Sequence, residues 1–491
     1  MHIEPVRVFH FFEEISAIPR PSGKEDAIAD YLVRFAQERN LECHRDAANN
    51  VVIIQEASEG RESDEPIVIQ GHMDMVCEKE SFCKKDMDVE GLDLRLDGDW
   101  LFAEGTTLGG DDGIAVAIAL ALMDDPTLSH PRLEFLCTTE EETGMGGAHA
   151  FEPKHLRGRI LLNIDSEEEG VLTVGCAGGE TIVMTLPVAR DSADVRLTPI
   201  RLRVSGLTGG HSGIEIDRGR ANADLLLARA LRAILLPPAD HAGKEDAECP
   251  CRILSLRGGA KINAIPREAE ALLLVLDPEG FSSRIAELEE KMRAEYAVSD
   301  PELRLIVDEP ENELLSSFAG PLTNESAMRC VSLLSAMPNG VQRMDQHLAG
   351  LVETSLNLGV LDTANGEIRT EYLLRSSIES ALDELVERLL WIAGQHGAVV
   401  QRSDRYPAWE FMPESPFRDR MVQIFREQYG YEPKVETVHA GLECGILSKK
   451  MPGLEAVSIG PDLRDIHTPQ EKMSVSSVGR TYAYVRAIIE K

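Results

Sequence analysis

Four short aliphatic runs in the first third of the chain, at residues 50–55, 66–70, 132–137 and 159–164, carry Ile, Leu and Val almost without interruption. Strands of that kind are buried on both faces, which places them in a mostly parallel sheet covered by helices. Helical patterns fit between them, at 25–38 and at the apolar stretch 113–123, so this part of the chain reads as layered α/β. In such sheets ligands gather beyond the carboxyl ends of the strands. The loops after these runs are therefore the first place to look for function.

The middle of the chain has a different rhythm. Segments 200–204, 221–236, 252–257, 269–276, 282–296 and 303–307 spell β-α-β-β-α-β, the split pattern of a ferredoxin-like unit. The order α-β-β-α-β recurs at 324–336, 351–361, 368–376, 378–394 and 398–402, which predicts two related sheets with helices on one face. The α/β style returns after about residue 406, with a strand at 455–459 and a closing helix at 474–490 capped by Ser474. The expected architecture is an α/β domain built from residues 1–180 and 399–491, interrupted by an α+β domain at 181–398.

Composition removes several classes of partner. The 491 residues include 84 acidic and 50 basic side chains, and the formal charge of −34 repels phosphate backbones and anionic lipid head groups. Nucleic acid and membrane surfaces are not expected partners. The longest apolar run, 114–123, is far short of the roughly 20 residues a membrane helix needs, and the first residues, MHIEPVRVFHFFEEIS, place acids where a signal core would be apolar. Nine cysteines, of which only Cys249 and Cys251 are closely spaced, read as free thiols rather than a disulfide framework, and a cytoplasmic location is expected.

Acids and histidines collect where the apolar runs end. The run Ile67-Val-Ile-Gln-Gly leads straight into His72-Met-Asp74; side chains alternate along a strand, so His72 and Asp74 share a side. Taken alone, such a pair is an ordinary surface hydrogen bond. Asp111 and Asp112 follow two glycines at the mouth of the buried helix, where an aspartate is either a cap or a cation ligand. Glu140, Glu141 and Glu142 end the third run; adjacent carboxylates repel unless a cation or shared proton intervenes, although a solvated acidic loop is the plain alternative. Asp165 ends the fourth run, and His467 stands before the last helix. Five clusters at element ends in one α/β unit, with nitrogen and carboxylate donors and no cysteine, suit two zinc, cobalt or manganese ions sharing a carboxylate. The chemistry so indicated is that of a dinuclear hydrolase.

In order along the chain, GHMDMV, TLGGDDGIA, TTEEETGMGGA, NIDSEEEG, GLTGGHSGIEI, NAIPREA, HAGLECG and IHTP resemble the two-zinc metallopeptidase family that includes carboxypeptidase G and peptidase T, and within it the aminoacyl-histidine (Xaa-His) dipeptidase branch. The resemblance implies a zinc-peptidase catalytic domain interrupted by a lid of ferredoxin-like units. It implies one metal ion on His72 and Asp165, a second on Glu142 and His467, and Asp111 bridging them, with Asp74 behind the ligands. Glu141 matches the general base that activates a metal-bridging water and passes its proton to the leaving amine. The peptide between Asp111 and Asp112 is expected to be cis.

In the lid, the resemblance gives His211 the developing oxyanion, and Asn263 and Arg375 the substrate backbone and terminal carboxylate, a guanidinium fork suiting a carboxylate. Arg257 and Arg369 compete with Arg375 for that role. The resemblance implies that His439 and Glu443 of HAGLECG line the substrate pocket, a core-facing loop being the plain alternative. Asp112 stands where the family often has Asn, and Glu140 where it often has Asp, which bears on metal preference and pH optimum.

The activity implied is hydrolysis of dipeptides, with Xaa-His as a candidate preference, by a monomer or a homodimer. The alternatives are a deacylase or tripeptide aminopeptidase on the same site, and a catalytically inactive peptide-binding member.

Overall fold

The computed structural model describes residues 3–192, 197–235, 251–311, 320–364 and 366–491. The chain forms two compact units. One comprises Met1–Cys176, Trp409–Val438 and Leu442–Lys491; the other comprises Ala177–Ala408 and His439–Gly441.

The first unit is built on an eight-stranded sheet. Its strand order is Glu42–Arg45, Val51–Gln55, Leu133–Thr138, Ile67–His72, Ile160–Asn163, Glu455–Ser458, Val171–Cys176 and Lys434–Val438. Leu133–Thr138, Ile67–His72, Ile160–Asn163 and Glu455–Ser458 run parallel to one another. Alternation along these strands feeds two cores: Ile67 and Ile69 enter the larger, with Phe12, Ile118 and Ile488, while Val68 enters the smaller, with Phe151 and Leu447. Burial on both faces is why the runs lack polar alternation.

The helix Gly110–Met123 is buried along its whole length except at Asp111, which explains an Ala-, Ile- and Leu-rich sequence with no polar face. Asp111 and Asp112 leave helical geometry inside its first turn, so the regular helix runs from Gly113, where the apolar pattern begins. The last helix, Val475–Glu490, is capped as expected, the Ser474 hydroxyl accepting the Ser477 N–H at 3.2 Å.

The second unit departs from the expectation of two sheets. Both β-α-β-β-α-β patterns lie in one continuous nine-stranded sheet. In the first, Arg304–Asp308, Thr198–Ser205, Ala269–Val275 and Cys251–Gly259 are neighbours in that order; in the second, Val352–Ala364, Glu367–Ser376, Gly178–Pro187 and Val399–Tyr406 are. The two halves join where Arg257, Gly258 and Gly259 pair with Asp362, Leu361 and Val360. A Cβ on Gly259 would sit 2.0 Å from the Gly359 carbonyl, so the seam depends on bare backbone.

The first strand of the second pattern, missing from the periodicity, is Gly178–Pro187. It pairs with Glu367–Ser376 on one side and Val399–Tyr406 on the other. The halves are therefore nested, the first inserted after the opening strand of the second. Of the cysteines, Cys249 lies outside the described residues, and none of the eight described ones forms a disulfide. No helix among the described residues is long and apolar enough to cross a membrane.

One buried acid in this unit has no evident structural compensation. Asp224, in the first turn of helix Ala223–Leu235, has both carboxylate oxygens buried without a hydrogen-bond partner, and burial pushes its pKa well above the carboxylate range. The folded state therefore binds a proton that the unfolded state releases above about pH 4, so stability falls as pH rises toward the folded pKa, by up to about 1.4 kcal/mol per pH unit. Asp224→Asn is expected to raise the melting temperature more at pH 8 than at pH 5. Equal shifts at the two pH values would show that Asp224 is not a buried neutral acid.

Candidate dinuclear metal site

Strand register delivers the first unit's candidate ligands to one edge. His72 is paired with Thr138, and Gln70 with Asn163. The ladder runs on past the strands, Met73 N donating to Thr138 O at 2.8 Å and Ile164 N to Gln70 O at 3.1 Å. His72, the Glu141–Glu142 turn and Asp165 thus leave three adjacent parallel strands at the same level. Asp111 comes from the kinked start of helix Gly110–Met123. His467 comes from the loop between the short strands Leu463–Arg464 and Lys472–Ser474, held with φ at +59°. Glu140 is also left-handed, at φ +51°; non-glycine residues in that region concentrate at functional sites. The Asp111–Asp112 peptide is cis.

The carboxylate of Asp111 is shared between two imidazoles. Its Oδ1 lies 3.1 Å from His72 Nε2 and its Oδ2 3.1 Å from His467 Nε2. Asp165 Oδ1 is 3.7 Å from His72 Nε2, and Glu142 Oε2 is 3.0 Å from His467 Nε2. Carboxylate oxygens of Glu141 and Glu142 lie within 4.8 Å of a His72 ring nitrogen and of each other.

Behind the ring, His72 Nδ1 faces the Asp74 carbonyl at 3.2 Å and its Oδ1 at 3.3 Å. Asp74, wholly buried, also accepts the Glu141 and Glu142 N–H groups at 3.1 and 3.2 Å and the Ser22 hydroxyl at 2.8 Å. It fixes both the imidazole and the turn that carries the two glutamates. With Nδ1–H spent on Asp74, the Nε2 lone pair of His72 faces carboxylate oxygens, an arrangement that calls for a proton or a metal ion between them.

Asp112 and Glu443 sit deeper. Asp112 Oδ2 accepts the His72 N–H at 3.2 Å, and its carboxylate falls in one group with His72 and Asp165. A Cβ at Gly71 would lie 2.5 Å from it, so that glycine exists to admit the acid. Glu443 is fully buried and accepts Gln70 Nε2 at 2.7 Å and the Thr138 hydroxyl at 2.6 Å, while Asn163 Nδ2 donates to Gln70 Oε1 at 2.7 Å. That network ties the ends of the three strands together.

Two residues that no motif announced hold the Asp111 turn. Glu471 accepts the N–H groups of Leu108, Gly109 and Gly110 at 2.7, 2.9 and 2.8 Å. Arg20 donates to the carbonyls of Met73, Asp74 and Gly109 at 3.1, 3.1 and 2.5 Å. Both are 2% exposed.

In the second unit, His211, Arg375 and His439 surround Gly213, whose Cβ would lie 3.0 Å from His211 Cε1, 3.1 Å from Arg375 Nε and 2.3 Å from the His439 carbonyl. Gly210 and His211 pair with Ile265 and Ala264, and Ser212 N donates to Asn263 O at 2.9 Å, so the GHSG and NAIP segments form one ladder. His211 Nδ1 accepts the N–H groups of Gly213 and Ile214 at 3.1 and 3.2 Å, which leaves the ring hydrogen on Nε2. Burial and then Arg375 lower the His211 pKa. Burial, Arg375 and His211 bring His439, whose Nε2 meets Ser355 Oγ at 2.7 Å, down to about 3. Arg375 Nε and His439 Nδ1 are buried without hydrogen-bond partners. Arg257 and Arg369 are exposed, which separates them from this cluster.

Residues 68–491 match Peptidase family M20/M25/M40. The chain belongs to that family. It is 35% identical to the cytosol non-specific dipeptidase of Escherichia coli (strain K12) over 491 residues, covering 100% of this chain and 98% of that protein. Among solved structures it resembles aminoacylhistidine dipeptidase from Vibrio alginolyticus with a TM-score of 0.90 and 34% identity over 100% of this chain and 97% of that one. Aminopeptidase PepT from Bacillus cereus ATCC 10987 shares the fold, with a TM-score of 0.55 and 16% identity over 99% and 98% of the two chains.

For this M20 protein, the donor set fits divalent metal. Ligands about 2.0–2.2 Å from a tetrahedral ion lie roughly 3.3–3.6 Å apart, and the nitrogen-to-oxygen separations around His72 and His467 are 3.0–3.7 Å. Glu142 Oε1 is buried without a hydrogen-bond partner. The electrostatics are those of a cation hole. Asp111 and Glu142 push the His467 pKa up to about 11, burial pushes Asp165 up to about 7, and burial raises Glu141 well above the carboxylate range.

Divalent metal at about 100 times its dissociation constant should add ~2.7 kcal/mol to unfolding, seen as a higher melting temperature that a chelator reverses. Asp111→Asn should lose most of that gain. A melting temperature indifferent to zinc, cobalt and manganese would exclude the site.

Proposed function

We propose that this protein is a metal-dependent dipeptidase that hydrolyses unblocked dipeptides, Xaa-His among them. His72 and Asp165 would hold one divalent ion, Glu142 and His467 a second, and Asp111 would serve both. The observation that carries the reading is the Asp111 carboxylate, each oxygen 3.1 Å from the Nε2 of a different histidine. It is supported by the relatives named for dipeptide hydrolysis at 35% and 34% identity over essentially the whole chain. When bound, the ions would polarise the scissile carbonyl and make a water more acidic; nitrogen and carboxylate donors without thiolate suit zinc first, with cobalt or manganese as alternatives.

The chain's own groups supply the proton traffic. Glu141 takes a proton from the attacking water and delivers it to the leaving amine. Asp74 keeps the His72 ring oriented and the Glu141 turn fixed. His211, neutral with its hydrogen on Nε2, donates to the developing oxyanion. Arg375, with its Nε–H free of acceptors among the described residues, takes the substrate carboxylate, and Asn263 and His439 complete substrate binding; Glu443, expected from the sequence to join them, is instead wholly buried and braces the strand ends through Gln70 and Thr138. The name of the Escherichia coli relative supports a cytoplasmic location. The functional unit is a monomer or a homodimer.

Glu141→Ala should keep its metal and lose roughly 10²–10⁴-fold in turnover, measured on a dipeptide panel alongside metal analysis; undiminished turnover would remove Glu141 from its role. Rates on a dipeptide, its N-acetylated form and a tripeptide distinguish a dipeptidase from a deacylase or a tripeptide aminopeptidase, and the dipeptide is expected to be fastest. Mixing inactive His211→Ala and Glu141→Ala chains distinguishes the two arrangements: recovered activity would mean that His211 acts on a partner's site, and no recovery that it acts within its own chain.

A further inference from the structure

The Asp111 turn is held by two buried side chains, Glu471 and Arg20, neither of which belongs to a candidate metal-ligand group among the described residues. Both oxygens of Glu471 are used on main-chain amides: Oε2 accepts from Leu108 and Gly109, and Oε1 from Gly110, with the Asp111 N–H a further 3.4 Å contact. Arg20 takes the carbonyl side of the same turn at Gly109 and also the carbonyls of Met73 and Asp74.

Glycines make this possible. Gly109 has φ at +63°, and a Cβ there or at Gly113 would lie 2.5 Å from Arg20 Nη2; at Gly110 it would lie 2.9 Å from Leu463 Cδ2 and 3.3 Å from Glu471 Oε1. The Gly-Gly-Asp-Asp-Gly motif is thus shaped around Arg20 and Glu471. Glu471 also stands four residues after His467 on the same loop. One carboxylate therefore ties the segment bearing His467 to the segment bearing Asp111, the two residues whose side chains meet at 3.1 Å.

We propose that Glu471 is a positioning residue that presets Asp111 to face both histidines, and that Glu471 and Arg20 together lock the three ligand-bearing segments, at His72, Asp111 and His467, into register before metal arrives. Glu471 acts through main-chain amides, so its carboxylate contributes geometry and no metal bond. An amide at this position keeps one acceptor oxygen but turns an NH₂ toward N–H groups, and it removes one of the two carboxylates, Glu471 and Asp74, whose charge offsets that of buried Arg20. Residues that orient metal ligands typically change metal affinity by about 10- to 100-fold when altered.

This inference rests on the two-metal reading, and the test separates the two. Apo protein is titrated with Co²⁺ alone, followed by calorimetry and by the visible absorption of the bound ion. Wild type is expected to take two ions. Glu471→Gln should bind at least one of them about 10- to 100-fold more weakly, with an altered visible spectrum. Its dipeptide kcat should recover as Co²⁺ is raised by the same factor, at unchanged KM. A purely structural residue would lower the melting temperature without moving the affinity or the spectrum.

Because Glu471→Gln also shifts the charge balance around Arg20, the double variant Arg20→Met, Glu471→Gln removes both charges, and it should show the same weakened affinity. Wild-type affinity and spectrum in either folded variant overturn the proposal, as does failure of both variants to fold. Wild type that binds no Co²⁺ sinks the two-metal reading, and this inference with it.

Discussion

A carboxylate held between two imidazole nitrogens is unstable in isolation: lone pairs face lone pairs, and only a proton or a metal cation relieves them. Asp111 sits in that position between His72 and His467, and much of the first unit serves to keep it there. Asp74 spends its oxygens on His72, Ser22 and the glutamate turn. Asp112 holds the His72 main chain. Glu443, Gln70, Thr138 and Asn163 weld the strand ends on which the outer groups stand. The acids that look redundant in the sequence are distributed over distinct tasks, some facing the site and the others bracing its main chain.

The fold was legible where local pattern and burial agree. The unbroken aliphatic runs marked the central strands because both faces of that sheet are covered, and Ser474 marked the last helix because a cap is a local event. The second unit was harder to read. Its inner β-α-β-β-α-β unit is contiguous and could be followed residue by residue, but the outer one takes its first strand, Gly178–Pro187, from far upstream. No local signal connects that strand to Glu367–Ser376. The single sheet went unread for the same reason, since the seam at Gly258 and Gly259 is a long-range pairing.

The site divides along similar lines. His72, Asp111, Glu141, Glu142, Asp165 and His467 each stand at or near an element's end, and a polar group bordering an apolar run is conspicuous. Arg20 and Glu471 are not, because they bind main-chain amides and carbonyls, and nothing in a sequence names the amide a side chain will meet. The glycines at 109, 110 and 113 were the available trace of them, since missing side chains on a tight turn signal that something bulky is packed against it.

Nesting also dictates a timetable for the nascent polypeptide. Pro187 must wait for its ladder partner Glu367, and at ~5–20 residues per second that interval is roughly 10 to 35 seconds of ribosomal synthesis. During it, Gly178–Pro187 has no neighbour on either side, whereas the inner unit, complete by Asp308, acquires all four of its strands first. An aliphatic strand left idle that long is where chaperone occupancy during translation would concentrate.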